Sequence, residues 1–162
     1  MPELMVVVVL IGILSAVAFG AFSTTSYAGT VAGFGDQITG EIDTARMRAA
    51  TSNRRQLVQV LGDRVVFYQS QSTGLGDATG WDQLDVLTAP ASVRVESFSD
   101  RTHLIIDDGV PAAGANLPGS FELLPDGSSE PASIFITDKN SRTKMRVIMY
   151  RGTSTAYVRS GW

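Results

Sequence analysis

Residues 1–22 read MPELMVVVVLIGILSAVAFGAF, and no side chain over 4–22 is charged. Wound as a helix at about 1.5 Å per residue, those 19 positions reach ~28 Å, close to the ~30 Å hydrocarbon core of a bilayer. The run predicts a single membrane crossing. A secretory signal peptide is the competing reading, because Ala16-Val17-Ala18 has the small-x-small form of a cleavage site. Two features oppose it. The ionisable side chain ahead of the run is an acid, Glu3, where a signal peptide carries positive charge, and the apolar stretch continues past Ala18.

A carboxylate beside an apolar span is costly unless it reaches the interface or meets a cation, which makes Glu3 the first candidate functional residue. Gly12, Ala16 and Gly20 recur every four residues. As a helix they line small side chains along one stripe, where another helix can approach closely.

Beyond the span, Val31, Phe34, Ile38, Ile42, Ala45 and Ala49 follow steps of three or four, with Asp36, Asp43 and Arg54 on the other side. That is the period of an amphipathic helix continuing outward. Gly29, Gly33, Gly35 and Gly40 interrupt it, each at a cost of up to ~1 kcal/mol relative to alanine. The middle of the helix is therefore its weakest part, a place to melt or bend on assembly.

The N-terminal run resembles the start of mature type IV pilins and type II secretion pseudopilins. In that family a leader ending in glycine is followed by phenylalanine, a polar residue, then leucine, an optional proline, glutamate, leucine and the apolar span. Pro2, Glu3 and Leu4 match this motif, and Met1 stands where the family has its leucine. The resemblance implies that Glu3 neutralises the N-terminal amine of a neighbouring subunit inside a filament core. The missing leader and first mature residues are expected to reflect either a start codon further upstream or a trimmed chain, and the resemblance implies a prepilin peptidase and a methylated N-terminus. The stretch ARMRAATSNRRQLVQV over 45–60 is similar to the end of the long helix in the GspH/FimT branch, where a basic turn precedes the first strand.

After Arg55 the pattern changes to short β-rich runs. Residues 56–60 and 65–69 flank Gly62-Asp63, a hairpin signal. Further strands are predicted over 93–98, 103–107, 120–124, 133–137, 144–150 and 155–159, with alternating or continuous apolar patterning. These strands need the apolar face of the helix, or a second sheet, to bury against. Two stretches, 70–92 and 108–119, are rich in Gly, Ala, Ser, Pro and Asp and predict surface loops; Trp81, in the first, is expected as a lid over the core. Residues 121–152, FELLPDGSSEPASIFITDKNSRTKMRVIMYRG, resemble the C-terminal half of the GspH/FimT domain. The match runs from a phenylalanine through a Pro-x-Gly turn and a basic turn to a last strand ending in glycine.

Composition narrows the chemistry. A chain of 162 residues, 44% apolar, fits one domain with an appendage. With no cysteine there is no disulfide, thiolate nucleophile or zinc-thiolate site. His103 is the single histidine, which leaves a His-based triad without redundancy and a metal without a second imidazole. Asp107-Asp108 and the Asp138, Asn140 pair lack calcium-loop spacing and read as turns, and Gly74-x-Gly76 lacks the context of a phosphate loop. No cofactor and no catalytic residue is expected. The net charge of −3 conceals an asymmetry, because residues 139–162 hold 6 of the 13 basic side chains and none of the 16 acidic ones. Arg142, Lys144, Arg146, Arg151 and Arg159 could meet nucleic acid or an acidic partner, or form a solvated face. Some FimT-like minor pilins capture DNA through a C-terminal Gly-Arg-x-Arg motif; here Gly152 is followed by Thr153, Ser154 and Thr155, which lowers that reading.

The expected organisation is α+β and pilin-like, a long N-terminal helix packed on antiparallel sheet. Residues 1–22 form its transmembrane half, 23–55 its amphipathic periplasmic half, and 56–162 the β-rich domain. By resemblance this is a non-enzymatic minor pseudopilin of a type II secretion system. It would sit near the pseudopilus tip, single-pass in a bacterial inner membrane, with the domain periplasmic. Its implied partners are major and minor pseudopilins, the inner-membrane assembly platform and a prepilin peptidase. The alternative is a FimT/FimU-like minor pilin of a type IV pilus.

Overall fold

The helical period of the first third is realised as one unbroken element, α1 (Pro2–Ser52), of 51 residues and ~77 Å. The computed structural model describes residues 2–76, 80–99, 119–140, 142–150 and 155–161, and side chains within these except at 2–4, 16–27 and 96–99. The glycines do not break α1. A Cβ built at Gly29, Gly33 or Gly40 would meet nothing within 4 Å, whereas at Gly35 it would lie 3.5 Å from Ile136 Cδ1 and 3.8 Å from Val158 Cγ1. Gly35 is thus the one of these four glycines that packs against the sheet. The helix stops at Asn53, whose φ of 52° is the left-handed conformation of a C-terminal cap, and the Arg54 N–H donates to the Ala49 carbonyl at 3.3 Å.

Eight strands follow: β1 (Gln56–Leu61), β2 (Arg64–Ser70), β3 (Trp81–Thr88), β4 (Val93–Ser99), β5 (Gly119–Leu123), β6 (Ala132–Asp138), β7 (Lys144–Met149) and β8 (Ala156–Ser160). They form two antiparallel sheets, ordered β3-β2-β1-β5 and β4-β6-β7-β8. The predicted hairpin is β1–β2, closed by Gly62-Asp63 with Leu61 opposite Arg64. The sheets meet where β4 packs beside β1 and β5, a seam tied by the Val95 N–H donating to the Gly62 carbonyl at 3.3 Å.

All six apolar positions predicted for the outer half of α1 are buried. Five of them, Val31 to Ala45, pack with Val58, Val60, Phe67, Phe121 and Leu123 of the first sheet and Ile134, Ile136, Val147 and Met149 of the second. One helical stripe therefore closes the inner faces of both sheets, and each large side chain on it contributes ~1.5–3 kcal/mol by leaving water. At the base, Arg55 Nη1 pairs with Glu122 Oε2 at 3.0 Å, and its Nη2 donates to the Leu75 carbonyl, pinning the segment after β2.

The strand readings hold for seven of the eight predicted runs within a residue or so; the eighth, over 103–107, with His103 and Asp107-Asp108, lies outside the described residues. The segment 70–92 is a correction. It contains β3, and Trp81, expected as a lid, opens that strand opposite Ser70 and is half-buried. β3 has four consecutive exposed residues, Asp82, Gln83, Leu84 and Asp85, because it is an edge strand that α1 hardly touches. Without a buried face it has no alternation to read.

Candidate assembly surfaces

The first surface is the inner half of α1. Met5, Val6, Val7, Val8, Val9, Leu10, Ile11, Ile13 and Leu14 are each 51–75% exposed. They occupy every direction around the helix, and a helix apolar all round belongs in a core or a membrane. A Cβ at Gly12 would meet nothing within 4 Å, and the four-residue step puts positions 12, 16 and 20 on one face. The side chains of Pro2, Glu3, Leu4, Ala16 and Gly20 lie outside those described. Among the described residues no helix is long and apolar enough to cross a membrane; those with described side chains in the apolar run are 5–15.

The second surface is the outer face of the second sheet. Ladder register sets Arg94, Thr137 and Lys144 in one row, and Glu96, Phe135, Arg146 and Arg159 in the next. The alternate residues Val95, Ile136 and Val147 face the core, so Arg94, Thr137, Lys144, Phe135, Arg146 and Arg159 face away from α1. The five predicted cations are not equivalent. Arg142 and Arg159 are exposed, Lys144 is half-buried, and Arg151 lies outside the described residues. Arg146 is 2% exposed, a correction to its reading as a surface contact: Phe135 and Arg159 stand directly beside it in the ladder. Arg94, exposed at the far strand of the same face, was missed, although the alternation Val93-Arg94-Val95 could have shown it. Next to this face the rings of Tyr150 and Tyr157 meet edge-on, 6.2 Å between centroids, and both are about half exposed.

Asp138, weighed as an oxygen ligand, is a turn residue. Its Oδ1 accepts from the N–H groups of Arg142 at 2.6 Å and Thr143 at 3.0 Å, and the side chain is buried. Gly74 has φ +84° and its N–H donates to the Asn53 carbonyl at 2.6 Å, so it secures the loop after β2 to the helix end. In the Pro125–Gly127 turn, Asp126 Oδ1 accepts from Ser128 Oγ at 2.6 Å and Ser128 N–H at 2.9 Å. The hydroxyl bond first, then the amide, holds its carboxyl below the ordinary value of 3.8.

The third surface is β3. Gln71 Nε2 donates to Asp82 Oδ1 at 2.7 Å and the Val86 N–H donates to Asp85 Oδ1 at 2.8 Å. A bulge opposite Phe67 and Tyr68 shifts the register there. Between this strand and the last turns of α1 lies an open groove of about 340 Å³ lined by Arg48, Thr51, Ser52, Gln69 and Leu84. Hydroxyls, an amide, one guanidinium and a leucine line it, and among the described residues that line it none is a carboxylate or imidazole that could act as a general base. Among the described residues no three His, Cys, Asp or Glu side chains converge.

No family profile and no curated sequence matches the chain. Solved structures do. A crystal structure of the minor pseudopilin EpsH of the Vibrio cholerae type II secretion system aligns at TM-score 0.58 and 15% identity, over 83% of this chain and 97% of that one. The solution structure of Escherichia coli GspH aligns at 0.54 and 14%, over 83% and 90%. The type IV minor pilin FimU of Pseudomonas aeruginosa aligns at 0.50 and 10%, over 87% and 92%. The chain has a GspH/FimT-type, pilin-like fold.

Proposed function

We propose that this chain is a non-enzymatic minor pseudopilin of a type II secretion system. It would be held in the inner membrane by the first half of α1, with its domain in the periplasm, and assemble near the tip of the pseudopilus. The observation that carries the reading is the divided helix. Its outer half forms the core of a pilin-like domain, while residues 5–14 present an apolar surface in every direction that the domain leaves uncovered. Such a surface is stable in lipid or among other apolar helices and costly in water.

Glu3, with Pro2 and Leu4 beside it, carries assembly in this account by neutralising the N-terminal amine of a neighbour. The stripe of Gly12, Ala16 and Gly20 lets helices approach. Major and minor pseudopilins, the assembly platform and a prepilin peptidase are the partners. Glu3→Ala is expected to leave membrane insertion intact and abolish incorporation into filaments, read by shearing and immunoblotting. Incorporation at the native level would remove the role given to Glu3. A second reading, a minor pilin of a type IV pilus, draws on the likeness to FimU. Deleting the gene separates the two: lost enzyme export supports the first, and lost twitching or transformation with export intact supports the second.

A further inference from the structure

The two sheets join through β4, so β3 and β8 are the edges furthest from the seam, each hydrogen-bonded to one neighbour among the described strands. These edges carry opposite charge. β3 exposes Asp82 and Asp85 and contains no basic residue. β8 exposes Arg159 and contains no acidic one, and exposed Arg142 and half-buried Lys144 lie at the start of the neighbouring strand. Charge is a common device for keeping sheet edges apart, but it works only when the edges that meet have the same sign. Edges of opposite sign attract one another between copies.

We propose that copies of this chain associate head to tail, the acidic β3 edge of one against the basic β8 edge of the next. The occupant of the basic edge is thus a second copy, recognised by the carboxylates of Asp82 and Asp85. Such a contact is heterologous, so each copy keeps one edge for a further copy until the rotation between them closes a ring. The bulge in β3 interrupts a continuous backbone ladder, which leaves ion pairs as the main attraction and makes the contact salt-sensitive. Nucleic acid is the less suitable occupant. A phosphate backbone is held by an array of cations free to reach it, and Arg146, central to this array in sequence, is 2% exposed. The inference stands on charge and topology and is independent of which secretion or pilus system the chain serves.

The absence of cysteine makes the test direct. The full chain carrying both Gln83→Cys and Ser160→Cys, neither of which alters charge, is oxidised in detergent micelles at low salt. A ladder of covalent oligomers is expected, while either single variant stops at dimers. Arg159→Glu is expected to reduce the ladder about ten-fold, and Asp82→Lys with Asp85→Lys in the same chain to restore it. A ladder that ignores these reversals reports contacts between apolar helices and overturns the proposal. Monomer at low salt overturns it too, including monomer that retards duplex DNA, which would assign the basic edge to phosphate.

Discussion

Two stretches of a single helix place their apolar side chains in opposite surroundings. Between residues 31 and 49 the stripe of Val31, Phe34, Ile38, Ile42, Ala45 and Ala49 is buried, with Asp36 exposed on the opposite side and Met47, off the stripe, exposed as well. Between 5 and 14 the apolar side chains fall on all sides and every large one is more than half exposed. The domain can cover a stripe but not a cylinder, so the first stretch is completed within the chain and the second by something outside it. The core is thus built from the outer half of α1 onward, and in the proposed account residues 5–14, which contribute nothing to that core, are what anchors the chain and packs against other helices.

The widest contrast should come from truncating one large side chain in each stretch. Phe34→Ala opens the core between helix and sheets and should cost ~3–5 kcal/mol in denaturant unfolding of the full chain in micelles, followed by tryptophan fluorescence. Leu10→Ala should stay within ~0.5 kcal/mol. Comparable losses at both positions would mean that the domain does use the inner half.

Glycine provides a finer comparison. Gly40 has space for a Cβ, so Gly40→Ala should raise stability by up to ~1 kcal/mol through helix propensity. Gly35→Ala should gain less, because its Cβ would press on Ile136 and Val158. If the helix must yield in its middle during assembly, the stabilised Gly40→Ala chain will incorporate into filaments more slowly than the native one; unchanged incorporation would retire that idea.

A turn remote from α1 serves as a control, with the smallest effect. Ser128→Ala removes the largest of the hydrogen bonds that lower the Asp126 carboxyl, and its titration, followed by NMR, should move back up toward 3.8. A carboxylate with a depressed folded pKa contributes stability above its unfolded value and loses it as pH falls through the folded one. Since Asp126 is fully exposed, the variant should change acid stability little.

The helix was legible because its period is written in side chains that the core uses: Val31, Phe34, Ile38 and Ile42 could be placed from spacing alone. The β1–β2 hairpin was legible for a similar reason, with alternating valines around Gly62-Asp63. β3 was not, because an edge strand that no helix covers has little to encode in polarity, and Asp82 and Asp85 made it read as loop. The basic tail was legible as composition but not as a surface. Which cations reach solvent depends on their neighbours across the sheet, and register placed Arg146 beside Phe135 while adding Arg94 from a distant segment.

Whether the inner half of α1 is enclosed can be measured in cells. Single cysteines at Val8 and at Gln37, which is exposed on the outer half, are treated in intact membranes with a membrane-impermeant maleimide, before and after detergent. Position 37 should label at once and position 8 only after detergent. Equal labelling of both before detergent would contradict a helix divided between an apolar enclosure and a periplasmic domain.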